Sequence, residues 1–230
     1  MSLRDQLEHY LVHVLLGRSR GGGHVKYIAE GLRYRTAGLR AALSHPEIEV
    51  EVGDDRLLPE ANRFLVFVTE YLDQKTARIT ANETMSYGTW IVKFVGTKRQ
   101  SLEAWAAVED DSSRFKPNAD LAMRLALEQR ELAARLKTGL SVPYGSDLYA
   151  FDDGEGRPVE LYRDVPTPGH SGWFILSDRF TGNFELIRNQ HLYHLVGRHG
   201  ELVKYLGLRP GWHVDLREGE RVWFEDLAQQ

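Results

Sequence analysis

Hydrophobic positions in the first third of the chain recur mostly at helical spacing. Leu3 to Leu16 carries apolar residues every three or four positions, which predicts a short amphipathic helix. The segment from Val25 to Leu43 has the same period and predicts a second helix, ended by the "SHPE" that follows it. After an alternating, strand-like pattern at residues 48–52, helical periodicity returns over residues 58–74. We therefore expect the N-terminal part to be rich in helices.

The middle of the chain combines a β-rich region with one strongly periodic helix. Between Thr76 and Val108 the residues are largely β-branched and aromatic, and three segments predict the strands of an antiparallel meander. Residues 116–136 then have the clearest helical pattern of the chain. Asn118 is the expected N-cap of this helix, and Gly139 is its expected C-terminal stop.

The last third reads as short strands and helices separated by turn signals. Residues 147–151 and 158–165 flank "DDGEGR" and predict a hairpin, because Asp and Gly tolerate the positive φ of tight turns. "PTPGH" at residues 166–170 predicts a stiff connector between two domains. The strand "GWFILSD", one or two short helices and a closing hairpin follow it, and in that hairpin Trp212, Val214 and Leu216 face one way.

These patterns predict an α+β fold in two parts. The first, residues 1–165, consists of N-terminal helices and the antiparallel meander. The second, residues 166–230, is a small β-α-α-β-β domain. A chain of 230 residues with 42% hydrophobic and 27% charged residues is long enough and apolar enough to bury a core in both parts.

Composition narrows the chemistry and the compartment. The chain has no cysteine, which excludes disulfides, thiolate catalysis and cysteine-based zinc sites. The apolar run from Leu11 to Leu16 contains His13 and lacks a small-residue cleavage site, so it predicts neither a signal peptide nor a membrane span. We expect a cytoplasmic protein without a membrane partner.

Positive charge concentrates in the segment predicted to be the second helix. Lys26, Arg33 and Arg40 recur every seven residues, with Tyr27 and Tyr34 between them, as a nucleic-acid surface would require. The solvated face of an ordinary helix gives the same pattern. Because the whole chain carries 33 acidic and 29 basic residues, a net charge of -4, we expect no nucleic acid as its main partner.

Two acidic clusters fall at predicted loops or hairpin turns. Exposed acids at such positions suit contact with the basic surface of a nuclease or a similar partner, and they are equally typical of soluble turns. The candidate residues are Glu109, Asp110 and Asp111 in the first cluster and Asp152, Asp153 and Glu155 in the second.

Motifs for catalysis or cofactor binding are missing from the sequence. The glycine-rich "GRSRGGGHVK" lacks the Gly-Lys-Ser/Thr ending of a phosphate loop, "EHYLVH" is not the His-Glu-x-x-His of zinc proteases, and no Gly-x-Ser-x-Gly elbow occurs. We therefore expect no metal and no cofactor. An enzyme of unknown type in the N-terminal part stays open as an alternative.

Aromatic and glycine positions near the C-terminus carry a family resemblance. "SGWFILSD", "HLYHL", "KYLGLRPGWHVDL" and "VWFED", within about residues 168–227, resemble the immunity protein 33 family of bacterial polymorphic-toxin systems. The resemblance implies a non-enzymatic protein that binds and neutralises a cognate toxin or effector encoded by the adjacent gene, by occluding its active site. It carries over no catalytic residue. The partner contacts predicted from charge are the two acidic clusters together with Lys26, Arg33 and Arg40.

Two alternatives to the immunity hypothesis come from the residues themselves. One is a nucleic-acid-associated module that uses the predicted basic helix over residues 25–43, and the other is the N-terminal enzyme. Salt-dependent binding is expected of the first. A cleft with perturbed carboxylates or histidines is expected of the second.

Overall fold

A computed structural model describes residues 17–18, 24–75, 77–152 and 156–227. It contains helices and two mixed β-sheets, which confirms the predicted α+β class. The described residues divide into two compact units. The first comprises those up to Met85 together with Val92–Ala107 and Phe115–Arg124, and the second comprises Ser86–Ile91, Val108–Arg114 and those from Leu125 onward. This division differs from the boundary expected between residues 165 and 166.

In the described part of the chain, the first sheet consists of the strands β1 Gly17–Arg18, β2 His24–Glu30, β3 Arg33–Ala37, β4 Ile48–Glu51, β5 Thr84–Tyr87, β6 Trp90–Gly96, β7 Leu102–Val108 and β8 Asp111–Lys116. Their order is β1-β2-β3-β4-β7-β6-β5, with β8 beside β7. β6 and β7 pair antiparallel, as the predicted meander requires, whereas β4 runs parallel to β7. The sheet is therefore mixed and takes in strands from well outside the predicted meander.

Two α-helices of the first unit accompany this sheet, α1 Leu39–Leu43 and α2 Leu58–Lys75, with a 3-10 helix at Asp55–Leu57 before α2. A further helix, α3 Asp120–Arg135, begins in the first unit and continues into the second. The apolar stripe of α2 packs against β3 and β4. Its members recur at helical spacing and are at most 2% exposed; they are Ala61, Phe64, Leu65, Val68 and Leu72. Phe64 stacks on Phe94 of β6 with ring centroids 6.3 Å apart, which anchors the helix on the sheet.

The helix predicted from Val25 to Leu43 is wrong for most of its length. Residues 24–37 form the hairpin of β2 and β3, and only Leu39–Leu43 is helical. Val25 and Tyr27 are buried on alternate positions, as are Tyr34 and Thr36 on the partner strand, which is the period of a strand. Gly31 adopts a φ of 63° at the turn, a conformation that glycine reaches without strain. The helix predicted from Leu3 to Leu16 lies outside the described residues.

Among the residues that the structure describes, the second sheet consists of β9 Leu148–Asp152, β10 Pro158–Arg163, β11 His170–Ser177, β12 Ile187–His191, β13 Trp212–Asp215 and β14 Arg221–Phe224. These six strands lie in the order β12-β9-β11-β10-β13-β14. All neighbouring pairs are antiparallel except β9 and β11, which are parallel. Helix α4 at Leu192–Arg198 and 3-10 helices at Phe184–Leu186 and Gly200–Gly207 complete this part. The predicted β-α-α-β-β order thus gains a strand, β12, and its second helix is of the 3-10 type.

The segment "PTPGH" connects two neighbouring strands of this sheet. β10 and β11 pair antiparallel on either side of it, and Thr167 and His170 exchange backbone hydrogen bonds of 3.2 and 2.9 Å in the turn. A Cβ on Gly172, which has a φ of 78°, would lie 2.2 Å from the carbonyl oxygen of Asp164. Glycine is required there so that the chain can close the hairpin.

A buried arginine organises the interior of the second unit. Arg163 on β10 is 3% exposed, and its guanidinium donates to the carbonyl oxygens of Ser171, Ser141 and Leu208, the first at 3.0 Å. Its Cζ lies 5.7 Å from the ring of Trp173, whose indole N–H donates to the carbonyl of Leu206 at 3.2 Å. Burial lowers the pKa of Arg163 to about 10. The pair thus attaches the 3-10 helix Gly200–Gly207 and the strand after it to the sheet.

Replacing this guanidinium will destabilise the protein strongly. Arg163→Met keeps much of the side-chain volume but leaves several buried carbonyl oxygens without donors, and we expect a loss of at least about 3 kcal/mol in the free energy of unfolding. Urea denaturation followed by tryptophan fluorescence measures it. Arg179→Met, at an exposed position of the same unit, is the matched control. A loss for Arg163→Met no larger than that of the control contradicts the assigned role.

Candidate functional site

One row of side chains crosses the second sheet from edge to edge. The pairing register places Asn189 opposite Ala150, Ala150 opposite Phe174, and Phe174 opposite Tyr162. It then places Tyr162 opposite His213 and His213 opposite Trp223. Directly paired residues point to the same face of a sheet, so all of these side chains share one face. We call the four rings of Phe174, Tyr162, His213 and Trp223 the ring row.

The rings of this row stack on one another. The centroids of Tyr162 and Phe174 are 4.7 Å apart with planes 3° from parallel. Those of Tyr162 and His213 are 5.9 Å apart, and those of His213 and Trp223 are 5.2 Å apart. The guanidinium of Arg221 lies 6.0 Å from the Trp223 ring and ends the stack with a cation. Mutual stacking holds the rings in fixed positions on a rigid sheet.

The opposite face of the same strands forms the core, which explains why the row faces outward. Leu161, Val214 and Trp173 alternate with the row residues along β10, β13 and β11, and all three are fully buried. Of the four rings, only Trp223 on the edge strand belongs to an exposed residue. The side chain of His213 is 19% exposed, and Trp223 as a residue is 40% exposed. The row therefore presents its largest accessible ring at β14.

Carboxylates outnumber cations beside the ring row. Arg217 bridges Glu160 at 2.5 Å and Asp215 at 3.3 Å, and Glu225 contacts the imidazole of His213 at 3.2 Å. Asp164, exposed at the end of β10, adds a further negative charge. The flank therefore has four carboxylates, those of Glu160, Asp164, Asp215 and Glu225, against the guanidinium groups of Arg217 and Arg221.

These charges shift the pKa values of Tyr162 and Asp215. Burial raises the pKa of Tyr162 above its usual value, and the negative charges of Asp164 and Glu160 raise it further, so its hydroxyl stays neutral at physiological pH. The backbone N–H and the guanidinium of Arg217 lower the pKa of Asp215. The carboxylates of the flank therefore outnumber its guanidinium groups by four to two. Aromatic rings at the centre of a patch with charged residues around it are typical of protein–protein interfaces.

The first acidic cluster lies at the β7–β8 hairpin. Glu109 and Asp110 form its turn and are exposed. The carbonyl of Glu109 lies 2.9 Å from where a Cβ on Gly197 of α4 would be, so this turn packs closely on the helix. Asp111 accepts bonds from the hydroxyl of Ser113 at 2.6 Å and from its N–H at 2.9 Å, which lower the pKa of that carboxyl. Glu109 and Asp110 thus lie on a hairpin turn as predicted, Asp111 begins β8, and the partner contacts of all three stay a prediction.

The second acidic cluster differs from the expectation of exposed loop-tip acids. Asp152 is 6% exposed, and its two carboxylate oxygens accept bonds from the N–H of Ser177 at 2.8 Å and from the hydroxyl of Ser177 at 2.6 Å. Its carboxylate is used to join the ends of β9 and β11. Asp153 and Glu155 lie outside the described residues.

The basic stripe predicted on a helix is dispersed over three elements. Lys26 is exposed on β2, Arg33 lies on β3, and Arg40 is exposed on α1, where it donates to the carbonyl of Gln100 at 3.2 Å. Arg33 is neutralised by the carboxylates of Glu49 and Glu51, and its hydrogen bond to Glu51 raises its pKa. The basic helix on which the nucleic-acid hypothesis depended does not form.

The two tyrosines of that stripe are likewise unsuited to stacking with bases. Tyr27 and Tyr34 are each 5% exposed and belong to the core. Burial raises the pKa of both phenols. A surface for single-stranded nucleic acid needs accessible rings, which these two positions do not supply.

A pocket beside Asp152 is lined by a serine hydroxyl and a histidine imidazole. Tyr149, Ser177, Arg198 and His199 help to line it. The hydroxyl of Ser177 donates to Asp152, and the Nδ1 of His199 lies 3.7 Å from Glu201, so hydroxyl and imidazole are engaged with different carboxylates. Within the described ranges, no group of three or more His, Asp or Glu side chains is placed to hold a metal ion.

Sequence reasoning missed the ring row. Trp212 and Val214 are predicted to face inward, so the alternation of a strand predicts that His213 faces outward. The sequence does not predict which strand lies beside β13, because the paired residues Tyr162 and His213 are about 50 positions apart in the chain. The row exists only where four separate strands align.

One family model matches the part of the chain that contains the ring row. Residues 128–225 match the family model of the Imm33-like domain, which confirms the resemblance and starts earlier in the chain than residue 168. The matched range contains all six strands of the second sheet and thus the whole ring row. No curated protein and no solved structure matches the chain significantly. Among the described residues, no helix is long and apolar enough to cross a membrane.

The buried position of Asp152 predicts a structural effect of its removal. Asp152→Ala leaves the N–H of Ser177 without an acceptor, and we expect a loss of about 1–3 kcal/mol in the free energy of unfolding. Asp152→Asn retains one acceptor oxygen and is expected to lose less. Urea denaturation measures both, with Asp110→Ala at the exposed turn as the control. Equal stability of Asp152→Ala and the control would contradict this assignment.

Proposed function

We propose that this chain is an immunity protein that binds a cognate protein toxin through the ring row and occludes the toxin's active site. The observation that carries the proposal is the position of the row: four stacked rings on an outward sheet face, inside the range that matches the Imm33-like domain. The toxin is expected to be encoded by the adjacent gene.

Stacked rings on strands suit tight binding for an entropic reason. An interface loses affinity when it must immobilise flexible side chains, at about 0.5–1.5 kcal/mol for each one. Tyr162 and His213 are already immobilised between neighbouring rings, so little freedom remains to be lost. Buried aromatic side chains at the centre of an interface commonly supply most of its binding energy.

The carboxylates beside the ring row favour a partner with a positively charged contact surface. With Glu160, Asp164, Asp215 and Glu225 against two guanidinium groups, the flank favours a protein whose contact surface is basic around an apolar centre. A basic surface is what an enzyme that acts on nucleic acid presents to its substrate. A toxin of that class therefore has the complementary charge.

Occluding an active site requires a large and rigid contact surface on the inhibitor, and it requires no catalytic group. A typical stable interface buries about 800 Å² on each partner, which a six-stranded sheet face with its flanking turns can supply. The exposed turn at Glu109 and Asp110 is a second acidic contact surface in this proposal.

Removing an accessible ring will weaken the complex. We expect Trp223→Ala to raise the dissociation constant for the toxin at least 30-fold, which corresponds to about 2 kcal/mol, and to reduce protection of toxin-expressing cells. Biolayer interferometry and a growth assay measure the two effects. Tyr144→Ala, which removes a 61% exposed ring of the same matched range outside the row, is the control.

Two outcomes would count against the proposal in different ways. If the unmodified chain neither protects cells nor forms a complex with the product of the adjacent gene, the proposed function is wrong. If it protects and Trp223→Ala protects equally well at limiting expression, the function stands and the contact face is wrong.

Charge beside the row is expected to act on the rate of association. The association rate constant for the toxin should fall as ionic strength rises, and Asp164→Asn should lower it at low salt with little effect on dissociation. Asp110→Asn at the β7–β8 turn is the comparison. If only Asp110→Asn slows association, the acidic turn and not the flank of the row faces the partner.

A further inference from the structure

The ring row ends at an open edge of the sheet. β14 is the last strand in the order and, among the described residues, pairs only with β13. An edge strand presents backbone N–H and C=O groups that favour pairing with another strand. Trp223 and Phe224 on this edge are 40% and 47% exposed, which is unusual for large apolar residues on a strand.

Hydrogen bonding identifies which residues of β14 present those groups. The N–H of Leu216, just after β13, donates to the carbonyl oxygen of Val159 on β10 at 2.8 Å. The N–H of Glu225, just after β14, donates to the carbonyl oxygen of Gly211, just before β13, at 2.8 Å. In the alternating pattern of an antiparallel ladder, Arg221, Trp223 and Glu225 therefore direct their backbone groups toward β13. Val222 and Phe224 direct theirs away from the sheet.

We propose that two copies of this chain associate by antiparallel pairing of β14 with β14 about a two-fold axis at Trp223. Val222 of each copy then lies opposite Phe224 of the other. Both residues have outward backbone groups, so each such pair exchanges two N–H···O bonds. The two sheets join into one of twelve strands, an association that goes beyond binding of a toxin.

Side-chain charge selects this register. With Trp223 on the axis, Arg221 of each copy lies opposite Glu225 of the other, so two ion pairs form on the face of the ring row. On the other face, Val222 packs on Phe224. Moving the two-fold axis to Val222 shifts the pairing by two residues and puts Arg221 opposite Trp223, and moving the axis to Phe224 puts Arg221 opposite Leu227. Neither shifted register pairs opposite charges at this position.

The association doubles the proposed binding face. Paired strands keep their faces aligned, so the four rings of one copy continue into the four rings of the other across the two Trp223 side chains. An isologous contact of this kind closes on itself as a dimer and does not propagate. It also covers the exposed edge against pairing with unrelated chains.

Sedimentation velocity on the full chain, from about 1 to 100 μM, tests the proposal. We expect a monomer–dimer equilibrium in the unmodified protein. Val222→Pro should raise the dimer dissociation constant at least tenfold, because it removes an outward N–H while leaving the bonds to β13 in place. Val222→Thr keeps that N–H and is the matched control. Circular dichroism and the melting temperature verify that each variant folds.

A charge-reversal pair tests the register independently of Val222→Pro. Arg221→Glu and Glu225→Arg each place like charges opposite one another in the self-paired dimer, so each variant alone should be monomeric. Mixed together, they restore both ion pairs and should form a heterodimer, detectable by capture of an untagged copy by a tagged one.

A monomeric unmodified protein at 100 μM would overturn the proposal. Retention of the dimer by Val222→Pro, or failure of the mixed charge variants to associate, would overturn the β14 register. These results are separate from the proposed function, since a monomeric Val222→Pro variant that still protects cells leaves toxin binding intact.

Discussion

The buried guanidinium of Arg163 is the contact on which the second unit depends. It donates to the carbonyls of Ser141, Ser171 and Leu208, which belong to three different stretches of chain. A cation this deeply buried is stable only if its donors are satisfied, so the three stretches must stay where they are. Because Leu208 leads into β13, this contact also sets where β13 meets β10.

The outward ring row is a consequence of the same inward contact. Arg163 pairs with Trp173 in the register of β10 and β11, and both point into the core. Their neighbours Tyr162 and Phe174 must then point outward, opposite one another, where they stack. Because β13 pairs with β10, His213 stacks on Tyr162, and Trp223 then stacks on His213. The pairing register of β10 and β11 therefore determines both which residues enter the core and which rings form the candidate binding face.

Charge in this chain is used in the fold as well as on its surface. Arg33 is held by carboxylates of β4, Asp152 joins two strand ends, and Glu47 accepts the N–H groups of Gly38, Leu39 and Arg40 at the start of α1. Charge patterns alone therefore did not distinguish Asp152, which is buried, from exposed acids, and they did not show that Lys26, Arg33 and Arg40 lie on separate elements. Of the candidate contacts, Glu109 and Asp110 at the β7–β8 turn, Lys26 on β2 and Arg40 on α1 remain exposed.

The sequence by itself determined the α+β class, the helix near residues 116–136 and the resemblance of the C-terminal part, since periodicity, caps and motif residues are local in the chain. It could not separate a hairpin from a helix between Val25 and Leu43, where apolar residues fit both periods and the strand β4 decides through pairing with β3. Nor could it reveal that Asp152 is buried or that Tyr162 lies beside His213. Burial and register depend on segments far apart in the chain, and only the tertiary structure brings those together.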